Sequence, residues 1–235
     1  MYRLFLTPVW FNGWDLVFEA VGLVVALLIA AYSWRMYRLN VENRFAYFSL
    51  AFILVAVGLA AKMITSSILY FTPVRDVAAV VLGPVAGSHL RFSGLLYRGG
   101  FFLQMVATLG AWLLIYFISQ KARERLKRFD ELTQLALFIY LVLLISVVAN
   151  FNYFVFYLTS TVLLGLIVLN YYRAYLNKKN KNTWRVMLAF MCILLSSIFY
   201  VFVFWFEHFY VVGEVLLLAG FLVLLYTYSS LMRKK

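Results

Sequence analysis

Seven predominantly apolar runs, at 14–34, 45–71, 99–119, 132–149, 153–172, 184–206 and 209–231, take up most of this 235-residue chain. Each is near or above the roughly 18 residues at which an apolar stretch can cross the hydrocarbon core of a bilayer as a helix. The pattern predicts an all-α integral membrane protein, one seven-transmembrane-helix bundle over residues 1–235. Composition agrees. Hydrophobic residues make up 66% and charged residues 13%, against roughly 45–50% and about 25% in soluble domains, so lipid must be the solvent for most of the surface.

Two boundaries follow from length. A continuous helix over 132–172 would extend about 60 Å at 1.5 Å per residue, twice the hydrocarbon thickness. It must turn midway, and Asn150 and Asn152 flank the corner, asparagine being a turn former that tolerates unusual backbone angles. By the same reasoning 184–231 folds back on itself at Glu207-His208. The connection 72–98 carries an apolar stretch, 77–85, with Gly83 and Pro84 inside it. That stretch is too short to span and is expected to form a short interfacial or re-entrant helix.

Basic residues orient the bundle. The connections at 35–44, 121–131 and 173–185 and the tail 233–235 hold three, five, five and three of the 21 Lys and Arg residues; the opposite side holds Arg3, Arg75, Arg91 and Arg98. The positive-inside rule places the N-terminus outside and the C-terminus in the cytoplasm of a multi-pass protein of the plasma membrane. The net charge of +12 then reads as topology determinants lying against anionic headgroups on the cytoplasmic side of the bilayer. No nucleic-acid partner is expected, although runs such as Lys178-Lys179-Asn180-Lys181 are basic enough to suggest one.

Runs one to three and five to seven share orientation in this topology. At a constant offset of 138 residues Arg35 matches Arg173, Tyr37 matches Tyr175, and Leu50-Ala51-Phe52 matches Leu188-Ala189-Phe190. Such matches arise from a three-plus-one-plus-three duplication or from recurrent chemistry at membrane boundaries.

Several seven-helix families share this layout, and particular residues separate the chain from three of them. Microbial rhodopsins carry retinal on a lysine in the last helix, and 209–231 has none. G-protein-coupled receptors show an Asp-Arg-Tyr-like end to helix 3 and Asn-Pro-x-x-Tyr in helix 7; here stand Ile118-Ser119-Gln120-Lys121 and Tyr226-Thr227-Tyr228. SWEET and PQ-loop transporters have a Pro-Gln pair that is missing here, and Pro8, Pro73 and Pro84 all lie outside the runs, whereas helix breaks at membrane depth are a common transporter device. The layout also resembles that of the seven-helix sensory modules of bacterial and archaeal signalling proteins. Those modules precede a kinase, cyclase or methyl-accepting output and none follows the last run here, so a sensor of this shape is expected to need a separate cytoplasmic protein partner.

Little else speaks for catalysis. Cys192 is the single cysteine, His89 and His208 are far apart in sequence, and neither a metal-ligand spacing nor a glycine-rich phosphate loop occurs. No enzyme activity, metal or cofactor is expected.

What remains is a set of ionisable residues at one depth. Lys62 falls roughly 6 Å, and Glu19 and Glu214 roughly 9 Å, outward of the midpoints of their runs at 1.5 Å per residue. Asp15, Glu19, Gly22 and Ala26 share a helical face, as do Ala51, Gly58, Lys62 and Thr65, giving the small or polar stripes used at helix contacts. Glu214 joins them on depth alone. Charges at such depth usually face the bundle and find partners. Glu19, Lys62 and Glu214 are therefore either a structural ion pair, with one glutamate as counterion to the lysine, or a site for an ion, proton or small polar ligand. Snorkelling of Lys62 to the headgroups is the third alternative. Asp15, Thr65 and His208 are candidate polar residues of an outer mouth. The expected role is a non-enzymatic sensor or interaction subunit with that mouth facing outward. The alternative is a transporter or channel for a small solute or ion.

Overall fold

A computed structural model describes residues 8–11, 13–70, 92–121 and 153–233. The described residues form six long helices: α1 (Trp14–Asn40), α2 (Asn43–Tyr70), α3 (Phe92–Lys121), α4 (Tyr153–Lys178), α5 (Lys181–Val201) and α6 (His208–Arg233), with short 3-10 turns at Val9–Phe11 and Phe202–Phe204. There is no strand among them. Each helix contributes to a span of 22 to 27 residues that is apolar enough to cross a membrane, as a multi-pass membrane protein requires. The expected fourth span, 132–149, and the apolar stretch 77–85 lie outside the described residues.

The helices outrun the apolar runs that predict them. The connection expected to last until residue 98 ends earlier, because α3 begins at Phe92. The basic connections expected at 35–44 and 173–185 are mostly helix, with only 41–42 and 179–180 between helices. Apolarity stops where hydrocarbon stops, but the backbone keeps its hydrogen bonds by staying helical, and Arg, Lys and Leu are good helix formers.

Both short links turn in the same way. Val41 and Lys179 take left-handed φ angles of 54° and 44°, and their N–H groups donate to the carbonyls of Tyr37 and Tyr175, each at 2.7 Å. This is a helix stop in which a left-handed residue satisfies an orphan carbonyl, here without glycine. Both turning residues, and both tyrosines, stand 138 apart. The last residues of α1 and α4, and the first of α2 and α5, match at that same offset. The pairs α1–α2 and α4–α5 are thus built to one plan.

Side-chain contacts fix the helix directions. Late in α2, Thr65 packs against Gly100, early in α3, so closely that a β-carbon at Gly100 would collide with it. Phe101 of α3 meets Tyr153 and Phe156 at the start of α4, and near their other ends Asn170 donates to Ser119 Oγ at 3.0 Å. Helices α3 and α4 therefore run parallel, whereas the other consecutive helices alternate. One end of the bundle, the basic end, holds the links 41–42 and 179–180 together with Lys121 and Arg233. The far end holds Trp14, Arg98, Tyr153 and the 202–207 connection.

Around the bundle the order is α1, α2, α3, α4, α5, α6, with α6 closing the ring against α1. Burial is inverted relative to a soluble protein. Val17, Val21, Val24 and Leu28 are exposed on α1 and Leu158, Val162 and Leu169 on α4, while Asp15, Glu19, Lys62 and Glu214 are buried. An apolar belt of this extent on a helical bundle is a lipid-facing surface. Inside, Phe48, Phe52, Phe190, Phe221 and Tyr228 fill the half towards the basic end. Phe101, Phe156, Tyr157, Tyr200 and Tyr210 fill the half towards the far end.

Candidate functional site

The three ionisable residues meet where α1, α2 and α6 converge. On α1, Gly22 stands one turn below Glu19, and its missing side chain admits Leu59 of α2 and Phe221 of α6, 3.6 and 3.9 Å from where a β-carbon would lie. Helix α6 has two working faces. Gly213 and Gly220 press against Tyr200, Ala189 and Ile193 of α5, which leaves the adjacent Glu214 pointing at α2. This resolves the sequence pattern, in which the small residues of α6 fall on a different face from its glutamate.

Lys62 Nζ donates a hydrogen bond to Glu214 Oε1 at 2.6 Å and lies 2.9 Å from Glu19 Oε1. Both glutamates serve one lysine, where the sequence suggested one or the other. The two contacts differ in length. Glu214 makes the shorter contact, and Glu19 is held by the longer ion pair. All three residues are at most 3% exposed. Removing charges from water costs several kcal/mol per ion, which close opposite charge offsets. Beside the triad, Glu19, Glu214, Gly22, Phe18 and Leu59 line a cavity of about 10 Å³, room for about one water.

A file of tyrosines adjoins the triad. The Tyr210 ring centroid lies 5.2 Å from Lys62 Nζ, within the reach of a cation–π contact. Tyr200 follows at 5.7 Å from Tyr210, Tyr157 at 4.6 Å from Tyr200, and Tyr153 at 4.5 Å from Tyr157. The buried hydroxyls of Tyr200 and Tyr210 have no hydrogen-bond partner among the described residues, and neither has Asp15 Oδ2 or Gln104 Oε1. Buried polar atoms are rarely left so, and a cluster of them calls for water, an ion or a ligand.

The outer-mouth candidates fall in three different places. Asp15 is fully buried in the first turn of α1, one turn from Glu19, with Oδ1 accepting from the N–H groups of Gly13 and Leu16. Thr65 instead packs at the α2–α3 contact and donates to Ala61 O at 2.8 Å. His208 is exposed beside Trp10, with ring centroids 6.4 Å apart, on the surface and away from the triad. Above the site sits Phe11, 4% exposed, its ring against Phe18 and Tyr210 at 5.6 and 6.3 Å. The turn Val9–Phe11 thus covers the far end of the site.

A lysine between two carboxylates is no metal centre, and among the described residues no three His, Cys, Asp or Glu side chains gather to hold one. Sequence reasoning missed the tyrosines and the Phe11 cover. The 138-residue offset could have found three of the four tyrosines: it carries Asp15 to Tyr153, Glu19 to Tyr157 and Lys62 to Tyr200. Compared with protein-family models, curated proteins and solved structures, the chain matches none.

Proposed function

We propose that this chain is a non-enzymatic sensor or interaction subunit of the plasma membrane, a seven-helix bundle with its N-terminus outside and its C-terminus in the cytoplasm. The parallel course of α3 and α4 supports the seventh crossing. Lys121 ends α3 at the basic end and Tyr153 begins α4 at the far end, the arrangement that a further crossing would join, and 132–149 is an apolar run of suitable length for it. The basic end supports the orientation, since Lys and Arg accumulate on the cytoplasmic side.

The observation that carries the functional reading is the closed triad of Glu19, Lys62 and Glu214. It ties the first, second and last helices of the ring through buried charge, so any ligand that alters that charge alters how these helices pack. Both carboxylates are engaged by the one ammonium group, which favours a sensing or structural role over catalysis. The site is covered at the far end by Phe11, whose ring rests on Phe18 and Tyr210. That favours a sensor over the alternative, a transporter or channel for a small solute or ion. The cytoplasmic output would pass through the basic end, whose charge suits an acidic protein partner.

Reconstitution separates the two classes. Liposomes containing the full chain should dissipate a potassium or proton gradient no faster than protein-free liposomes. Flux that scales with protein content would replace the sensor by the transporter.

A further inference from the structure

Charge balance and contact lengths in the triad are unequal. One ammonium group faces two carboxylates in a buried site, and the surplus negative charge needs a positive partner. Space restricts what that partner can be. Lys62 Nζ already occupies the gap between Glu19 and Glu214, and the adjoining cavity holds about one water. A metal cation with its oxygen ligands does not fit there, and the lysine would repel it. A proton needs no room.

We propose that Glu19 is the site of a single exchangeable proton, taken up from the far end of the bundle, and that this proton is the ligand of the sensor. The inference rests on the reading of the triad as a sensing site. Glu214 is engaged by the 2.6 Å hydrogen bond from Lys62 and remains the counterion. Glu19, held by the longer 2.9 Å contact to Lys62, takes the proton on one oxygen as a carboxylate becoming a carboxylic acid. Release returns the same proton to water, with no other bond made or broken. The charged and titratable groups around it are Asp15 on its own helix, Lys62 on α2, Glu214 and Tyr210 on α6, and beyond them Tyr200 on α5 and Tyr157 on α4; α3 offers the neutral Gln104. Asp15 is the relay. It sits in the first turn of α1, one helical turn from Glu19, with Oδ2 buried and unpartnered, so a proton arriving from the far end meets it first. The cavity supplies a place for one bridging water.

Infrared spectroscopy of the full chain in phosphatidylcholine vesicles tests this. At neutral pH exposed carboxyls are ionised, so the carbonyl band of a carboxylic acid reports a buried one. The expected result is a band equivalent to one acid per chain that shifts with ¹³C-labelled glutamate and disappears in alkali. Glu19→Gln should abolish it. Glu214→Gln should also abolish it, because Glu19 then becomes the sole counterion of Lys62. Asp15→Asn should keep the band but slow its response to a jump in external pH.

A missing band, or one insensitive to labelled glutamate, overturns the proposal in the unmodified chain, whatever the variants do. So does a band that survives Glu19→Gln, or one that sodium displaces at constant pH. Should the band behave as expected while the basic end shows no change in thiol labelling at Asn180→Cys between the two states, the proton site stands and the sensor reading fails.

Discussion

Glu19 and Tyr157 occupy corresponding places in two matched helix pairs. Glu19 on α1 reaches Lys62 on α2 at 2.9 Å. Tyr157 on α4 lies 4.6 Å from Tyr200 on α5, ring centroid to ring centroid, and Tyr200 stands 138 residues beyond Lys62 just as Tyr157 stands 138 beyond Glu19. Asp15 and Tyr153 extend the correspondence by one turn. One plan of two antiparallel helices therefore carries charge in its first use and aromatic hydroxyls in its second. The two meet in the bundle where Tyr210 lies between Lys62 and Tyr200. A single charged set among neutral rings is what a dry interior tolerates, since two such sets would double the desolvation cost.

The glycines on α6 set the approach of α5, which leads to the first prediction. A β-carbon at Gly220 would lie 2.6 Å from Ile193 Cγ1 and 2.9 Å from the Ala189 carbonyl oxygen, and the latter is backbone that cannot rotate away. Gly220→Ala should cost about 1–3 kcal/mol, the range for overpacking, seen as a lower midpoint of thermal unfolding in detergent. Gly165→Ala on α4, where a β-carbon meets nothing within 4 Å, should be neutral or gain about 0.5–1 kcal/mol from helix propensity. Equal effects at both positions would show that the α5–α6 packing is not as close as described.

Much of this architecture was legible in the sequence, and the limits are physical. Apolar runs locate spans because the bilayer imposes one length on them. The depth of Lys62, Glu19 and Glu214 is readable for the same reason. Helix ends were harder, because hydropathy marks the lipid boundary and not the last hydrogen bond; α1 continues through Arg35 and Arg38 to Asn40. The tyrosines were hidden by composition, since 17 Tyr and 23 Phe give every helix aromatic candidates and periodicity cannot choose among them. That both glutamates share one lysine depends on the rotation of α6, which its close contact with α5 dictates and its own sequence does not.

Phe11 supplies the second prediction. Its ring rests on Phe18 and Tyr210 over the far end of the site, so Phe11→Ala should shorten the path from water to Asp15 and Tyr210. Exchange of the buried cluster with D₂O, followed by hydrogen–deuterium exchange mass spectrometry of peptides covering 13–22 and 208–216, should speed up, while peptides near the 179–180 link stay unchanged. A uniform increase across all peptides would mean general loosening and would remove Phe11 as a cover.

Topology is the third. In a Cys192→Ser background, single cysteines at Trp205 and Asn152 should react with a membrane-impermeant thiol reagent on intact cells. Cysteines at Asn40 and Asn180 should react only after permeabilisation. Reversal of both sets would invert the orientation. Labelling of Asn152 together with Asn180, and not with Trp205, would remove the crossing between Lys121 and Tyr153.

The last prediction concerns the triad as a structural element. In Lys62→Met the side chains of Glu19 and Glu214 stay buried at the α1–α2–α6 junction without the ammonium group, and breaking a buried pair from one side typically costs about 3–5 kcal/mol. The variant should unfold at a clearly lower temperature in detergent at neutral pH. Adding Glu19→Gln and Glu214→Gln removes the uncompensated charge while keeping the side-chain shapes, so the triple variant should recover most of the loss. The effects of the three substitutions are then far from additive, as expected of groups in direct contact. A control pair at the surface, Arg44 and Glu42, is more than half exposed on both sides, and its removal should change stability by no more than about 1 kcal/mol. If Lys62→Met is as stable as the parent chain, or if the triple variant is no better than the single one, the lysine is not held by the two glutamates, and the triad loses its place as the link between the first, second and last helices.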